Sequence, residues 1–231
     1  MDRLARLNEL NDIEIIPVTD ARFSAYGKIL KGYDVSGMIE YMKEHTPIPE
    51  SGNIYVPSDG LLEGFPVMEE ISSVVYGSEP VQAGYCNGRN STYNGFEYHK
   101  ASEINVAVSD MMLVLGKVSG IKDNTYDPAD AEVFFIQEGT VIEMFGDTLH
   151  LSPLKVTDEG FRDIVILPRG TNTPLSGAEK AMRDLKFAQG DSEARLLLQK
   201  RKWVIAHPER TPLISQGACP GMTGENKELF Y

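Results

Sequence analysis

Hydrophobic positions in this chain change their spacing twice, and the changes divide it into three stretches. In residues 1–53, Leu4, Leu7 and Leu10 form a short leucine-rich segment, and Ile13-Glu14-Ile15-Ile16-Pro17 reads as an extended run. Phe23 to Leu30 reads as a second extended segment that closes on Lys31-Gly32. Val35, Met38, Ile39 and Met42 then recur at i, i+3, i+4 and i+7. That is the apolar stripe of an amphipathic helix, with Asp34 placed to cap it and Pro47 and Pro49 to end it.

From residue 54 to 170 the period shortens. Ile71–Tyr76, Val81–Tyr85, Phe96–His99, Ile104–Val108, Met111–Val118, Val133–Gln137, Thr140–Phe145 and Ile164–Leu167 are β-branched and aromatic runs, separated by Gly, Pro, Asn and Asp turns. Many short strands punctuated in this way predict an antiparallel sandwich or barrel. In residues 171–231 the helical period returns. Ser176 and Glu179 make a capping-box pattern before Ala178, Ala181, Met182 and Leu185, and Gly190 ends the segment. A second short helix is predicted around Ala194, Leu197 and Leu198, then a strand at Trp203–Ala206, then a Gly/Pro-rich tail from Thr211 lying over the barrel. No repeat or linker interrupts the 231 residues, so one domain is expected: a β core with helical N- and C-terminal extensions.

Composition narrows the function classes. Hydrophobic residues make up 42% and charged residues 24%, enough for a sizeable core. With 22 Lys and Arg against 34 Asp and Glu, the net charge of −12 repels phosphate backbones, and no long basic cluster offsets it. Nucleic-acid binding is therefore not expected. Cys86 and Cys219 are too few and too distant for a disulfide framework. The N-terminal residues lack the apolar run of a signal peptide, and no stretch has bilayer-spanning length. A cytoplasmic location is expected. No P-loop, dinucleotide fingerprint, serine elbow or Cys-x-x-Cys occurs.

The candidate chemistry rests on two of the four histidines. Strand alternation puts Glu97 and His99 of Phe96-Glu97-Tyr98-His99 on one face. After a turn through Lys100-Ala101-Ser102, Glu103 opens the next strand, so two adjacent antiparallel strands would aim three metal-type ligands into one cavity. Lys100 should face away. His150 follows a separate strand pair. Glu143, between Ile142 and Met144, is a carboxylate in an apolar strand, either an acid/base or an outward-facing residue. Asn87, Arg89 and Asn94 lie in the polar segment that leads to Glu97; they could grip substrate hydroxyls or a carboxylate, or simply build an Asn/Gly turn. His45 reads as a helix-end residue, and His207 carries no specific signal.

Glu97-Tyr98-His99-Lys100-Ala101-Ser102-Glu103 resembles the first motif of the cupin superfamily, His-x-His followed by Glu, with Glu97 where the first His would be. Ser91 stands where that motif opens on Gly. Gly139 and His150 keep the spacing of the second motif, with Phe145 in place of its Pro and its Gly displaced to Gly146. The resemblance spans about residues 81–155 and extends to a bacterial cupin family near ureidoglycolate lyase in fold. It implies a mainly β, cupin-type antiparallel jelly-roll barrel. It also implies one divalent ion (Mn, Fe, Zn, Co or Ni) on His99, Glu103 and His150, with Glu97 as a further ligand or as a base. The activity it implies is a sugar or sugar-acid isomerase or epimerase, working through an enediolate with Glu97 or Glu143 moving the proton. A ureidoglycolate-lyase-like lyase and a non-catalytic sugar-sensing or structural cupin are the other two readings; Arg89 in the cavity would favour the lyase. Pairing through an open sheet edge would make the chain a homodimer.

Overall fold

A computed structural model describes residues 2–231. The strands in chain order are β1 (Ile15–Pro17), β2 (Gly27–Ile29), β3 (Asn53–Val56), β4 (Val81–Gly88) and β5 (Thr92–Tyr93). Next come β6 (Gly95–Tyr98), β7 (Glu103–Ala107), β8 (Met111–Lys117), β9 (Glu132–Ile136) and β10 (Val141–Met144). The last five are β11 (Thr148–Leu149), β12 (Phe161–Pro168), β13 (Leu197–Gln199), β14 (Lys202–Ala206) and β15 (Lys227–Glu228). They build a six-stranded sheet in the order β2-β10-β7-β12-β4-β3 and a four-stranded sheet β1-β9-β8-β11. A three-stranded sheet β13-β14-β6 and the pair β15-β5 complete the set. Pairing is antiparallel except between β1 and β9.

The alternation read from the sequence explains why the two large sheets face each other. Met111, Leu113 and Leu115 of β8 and Phe134 and Ile136 of β9 project from one sheet. Ile142 and Met144 of β10, Ala107 of β7 and Phe161, Val165 and Leu167 of β12 meet them from the other. Burying each such large side chain stabilises the fold by about 1.5–3 kcal/mol. The same period of two sends Ile104 and Val106 of β7, Val141 of β10 and Ile164 and Ile166 of β12 to the opposite face of the six-stranded sheet.

That outer face is closed by helices. Helix α1 (Arg3–Leu10) buries Leu7 in a separate core. Helix α2 (Ser36–His45) lays Met38 and Met42 against the outer face, and Asp34 accepts bonds from the Ser36 amide and hydroxyl at its start. Helix α3 (Val67–Glu70) continues into a wide turn, Ile71–Val75. The sequence pattern reads Ile71–Tyr76 as a strand, and the structure corrects this. Val67, Met68 and Ile71 share one apolar face that only a helical period brings together. Likewise, the expected extended segment from Phe23 begins as a 3₁₀ turn (Ala21–Ala25), with β2 confined to Gly27–Ile29. Helix α4 (Gly177–Ala188) has the expected capping box, but none of its residues is buried, and Met182 and Leu185 stay exposed. The expected second short helix is a 3₁₀ turn, Ser192–Leu196, that runs into β13. The tail folds back through α5 (Thr211–Ser215) and β15. Among the described residues no helix is long and apolar enough to cross a membrane, and both cysteines are free and buried.

Candidate metal centre

Three sheets supply the candidate ligands. Glu97 lies on β6 and His99 follows it; Glu103 opens β7, which belongs to the six-stranded sheet; His150 follows β11 of the four-stranded sheet. The expectation that β6 and β7 form one antiparallel hairpin is therefore corrected. The chain crosses between sheets at Lys100–Ser102, and β6 pairs with β14 instead. Lys100 takes a positive φ of 50° in that crossing. As expected, it turns away from the centre, to Glu193 Oε2 at 2.6 Å and over the Trp203 ring. The turn before β11 packs on the crossing so closely that a Cβ on Gly146 would lie 2.7 Å from the Ala101 nitrogen. Glu97 and His150 exchange two backbone hydrogen bonds, of 2.6 and 3.0 Å, which closes the third side.

The side chains then converge. His99 Nδ1 lies 2.9 Å from the Arg201 carbonyl and His150 Nδ1 lies 2.9 Å from the Thr148 carbonyl. Nδ1–H donation to these carbonyls leaves both Nε2 lone pairs free to face inward. Each Nε2 is 3.2 Å from Glu103 Oε2, and Glu97 Oε1 is 3.6 Å from His99 Nε2. Glu97, His99 and His150 each offer one ligand atom within 4.8 Å of the others. All four side chains are buried, and His99 Nε2 has no hydrogen-bond partner among the described residues. A buried imidazole nitrogen without a partner, beside two carboxylates, is the donor set a divalent ion takes.

Electrostatics agree with that geometry. Burial alone would push the Glu103 carboxyl up, but His150 and His99 outweigh it and hold Glu103 well below the usual range. Burial also opposes ionisation of Glu97, yet the Lys202 ammonium against it and the His99 ring bring it down to about 2. Burial would lower His99, but Glu103 and Glu97 raise it to about 9. The centre is poised to exchange a proton for a metal ion.

Above it opens a cavity of about 550 Å³, whose wall includes Glu97, Glu103 and His150. Of the expected substrate-binding residues, Asn94 lines it. Asn87 and Arg89 do not. Asn87 Nδ2 donates to Thr46 Oγ1 at 2.9 Å and to the Pro47 carbonyl, and Arg89 bonds the carbonyls of Pro49 and Asp158. Asn87 fastens the segment after α2 to β4, and Arg89 ties that segment to the loop before β12. Glu143 is on the other face of the six-stranded sheet, where Lys28 Nζ approaches it at 3.0 Å.

A family model described as a domain of unknown function, DUF4867, matches residues 15–227. The chain belongs to this family. No curated protein matches it in sequence. Solved structures similar to this DUF4867 member include Lactobacillus farciminis oxalate decarboxylase in its formate complex, at 14% identity and a TM-score of 0.31, covering 42% of this chain and 26% of that one. A Bacillus subtilis oxalate decarboxylase variant follows at 13% and 0.33, covering 64% and 34%. Salicylate 1,2-dioxygenase from Pseudoaminobacter salicylatoxidans, in complex with gentisate, follows at 10% and 0.32, covering 58% and 30%. The chain spans about a third or less of each of those proteins. At these TM-scores the likenesses lend it neither a chemistry nor a substrate.

In this DUF4867 chain the cavity also holds residues that the sequence pattern did not single out. Asn105 Nδ2 bridges Glu103 Oε1 at 3.1 Å and Asp163 Oδ2 at 2.8 Å. Asp163 is fully buried with no partner for Oδ1 among the described residues, and burial together with the Glu103 charge raises its pKa well above the ordinary value. Lys202 and Arg210 bring two cations to the same wall. Asn105 and Asp163 did carry a signal, since each interrupts an apolar strand as Glu143 does. The two cations become visible only when the C-terminal stretch, residues 171–231, folds back onto the cavity.

Proposed function

We propose that this chain is a metal-dependent enzyme of cupin type, its two large sheets the halves of a jelly-roll barrel, acting on a small polar metabolite as a sugar or sugar-acid isomerase or epimerase. The observation that carries this reading is the pair of imidazoles, each tied through Nδ1 to a carbonyl and each turning Nε2 onto Glu103 at the wall of a cavity of small-molecule size. His99, His150 and Glu103 hold the ion, with Glu97 as the further ligand. A divalent ion bound there supplies Lewis-acid polarisation of a carbonyl and its neighbouring hydroxyl.

The chain's own groups do the rest. Glu97, held near 2 by Lys202, accepts a carbon-bound proton poorly, which favours its ligand role over the base role. Asp163 is the better proton carrier: its Oδ1 has no partner among the described residues, it lines the cavity, and burial with the Glu103 charge raises its carboxyl above the ordinary carboxylate value. Its Oδ1 takes the proton from the carbon next to the substrate carbonyl and returns it to the neighbouring carbon or the opposite face. Asn94 and Asn105 offer amide groups to substrate hydroxyls.

Metal analysis of the purified protein and of His99→Ala and His150→Ala tests the centre. About one divalent ion per chain is expected in the wild type and less than a tenth of that in either variant; equal metal content in all three overturns it. Exchange of a C–H proton with solvent deuterium, followed by NMR on aldoses, ketoses and uronates, tests the activity. No exchange with any of them by metal-loaded protein removes the isomerase reading.

A further inference from the structure

Arg210 is a charged feature of the cavity that the metal centre does not explain. It lies immediately before α5 and lines the same wall as Glu97, Glu103 and His150. Its guanidinium donates to Asn94 Oδ1, and among the described residues it enters no ion pair. Lys202, the other cation of the wall, is already engaged by Glu97. Glu209, at the rim, is exposed and turned toward His207 and Asn226. A partly buried guanidinium without a carboxylate is costly unless something brings one. Burial lowers the Arg210 pKa, with the Glu97 charge opposing, as expected of a partly desolvated guanidinium.

Charge counting points the same way. With a divalent ion in place, the two positive charges of the ion cancel Glu97 and Glu103. Lys202 and Arg210 are then left over against Asp163, the remaining buried acid of the wall, so one positive charge is in surplus even with Asp163 ionised. A loaded cavity with surplus positive charge favours an anionic ligand.

We propose that Arg210 anchors the carboxylate of an acidic substrate, a sugar acid or hydroxy acid, whose carbonyl or hydroxyl end reaches the His99, His150 and Glu103 cluster. The planar fork of an arginine matches a carboxylate through two parallel hydrogen bonds. One free guanidinium suits a monoanion better than a phosphate, which recruits several cations or a row of backbone amides. The Asn94 amide, held against Arg210 and Thr92, keeps the fork in place without neutralising it. The expected anchor of this kind was Arg89, and the structure moves the role from the β4 end to the C-terminal segment. The inference rests on the metal-centre reading for the far end of the substrate and for the charge surplus; the match of the guanidinium fork to a carboxylate does not need the ion.

Binding by calorimetry to the metal-loaded full chain tests it with matched probes: gluconate against glucose, galacturonate against galactose, glycerate against glycerol, and glucose 6-phosphate as the phosphate arm. At least one acid should bind on the order of tenfold or more tighter than its neutral counterpart. Arg210→Gln should erase that preference, Arg210→Lys should keep part of it, and metal content should be unchanged in both. Equal binding of acids and neutral partners, no binding by any acid, or a preference that survives Arg210→Gln overturns the anchor. Tighter binding of glucose 6-phosphate than of every acid overturns the carboxylate assignment. Repeating the series after chelation separates the two readings: an acid preference that persists without metal leaves the anchor standing, whatever the metal analysis shows.

Discussion

Glu103 and Glu143 are both buried acids, and β7 and β10 set them one register step apart: Glu103 lies opposite Met144, and Glu143 opposite Ile104. They nevertheless belong to different regions of the molecule. Glu103 points into the space between the sheets, where two imidazole nitrogens lie 3.2 Å from one of its oxygens and Asn105 holds the other at 3.1 Å. Glu143 points to the outer face beside Ile104, and its one ion pair among the described residues is with Lys28, a lysine that is itself 58% exposed. The same residue type, in neighbouring strands, is a ligand candidate on one face and half of a surface-screened ion pair on the other. One step of strand alternation decides which.

The largest effect expected from this contrast is on metal content. Glu103→Ala removes an anion from between two imidazoles and should take bound metal from about one per chain to below a tenth, while Glu143→Gln should leave it at the wild-type level. Metal analysis of the two variants side by side checks this. If Glu103→Ala keeps its metal, the inner face holds no site; if Glu143→Gln loses it, the faces are not independent.

Sequence reading located the inner-face cluster but could not divide it from the outer face. His99, Glu103 and His150 stood out because imidazole and carboxylate are scarce in strands and their spacing resembled two known motifs. Glu143, Asn105 and Asp163 gave one and the same signal, a polar residue within an apolar run. Only pairing register tells that two of them face the cavity and one faces the helices. Asn87 and Arg89 misled because turn chemistry and ligand chemistry use the same residues. Ile71–Tyr76 misled because β-branched residues were counted by propensity. Their neighbours Val67 and Met68 show the helical period that packing against α2 rewards. Lys202 and Arg210 carried no local signal at all. Their role depends on β14 pairing with β6 and on the tail folding back, both long-range events.

A smaller effect sharpens the inner face alone. In the metal-free, chelated protein, burial and the Glu103 charge raise the Asp163 pKa well above its ordinary value of 3.8. As pH rises past that value the unfolded chain releases the proton while the folded chain keeps it. Wild-type stability should therefore fall with pH across the window up to the folded pKa. Asp163→Asn removes this proton difference and keeps the bond to Asn105. Its melting temperature should exceed that of the wild type near neutrality, with the gap closing below about pH 4. A gap that is constant with pH, or of opposite sign, would show that Asp163 is ionised in the fold.

The smallest effect belongs to the outer face. Lys28 is mostly solvated, so solvent screens its attraction to the buried Glu143 carboxylate, and the pair is expected to contribute about 1 kcal/mol or less. Glu143→Gln preserves shape and removes the charge. Its unfolding free energy in urea should stay within roughly 1 kcal/mol of the wild type, and Lys28→Met should behave alike, because each variant dissolves the same weak pair. The double variant should then match either single one, since a pair can be removed only once. A loss of several kcal/mol from Glu143→Gln would mean that the outer carboxylate is held by more than Lys28. The division of labour between the two faces of β7 and β10 would then have to be redrawn.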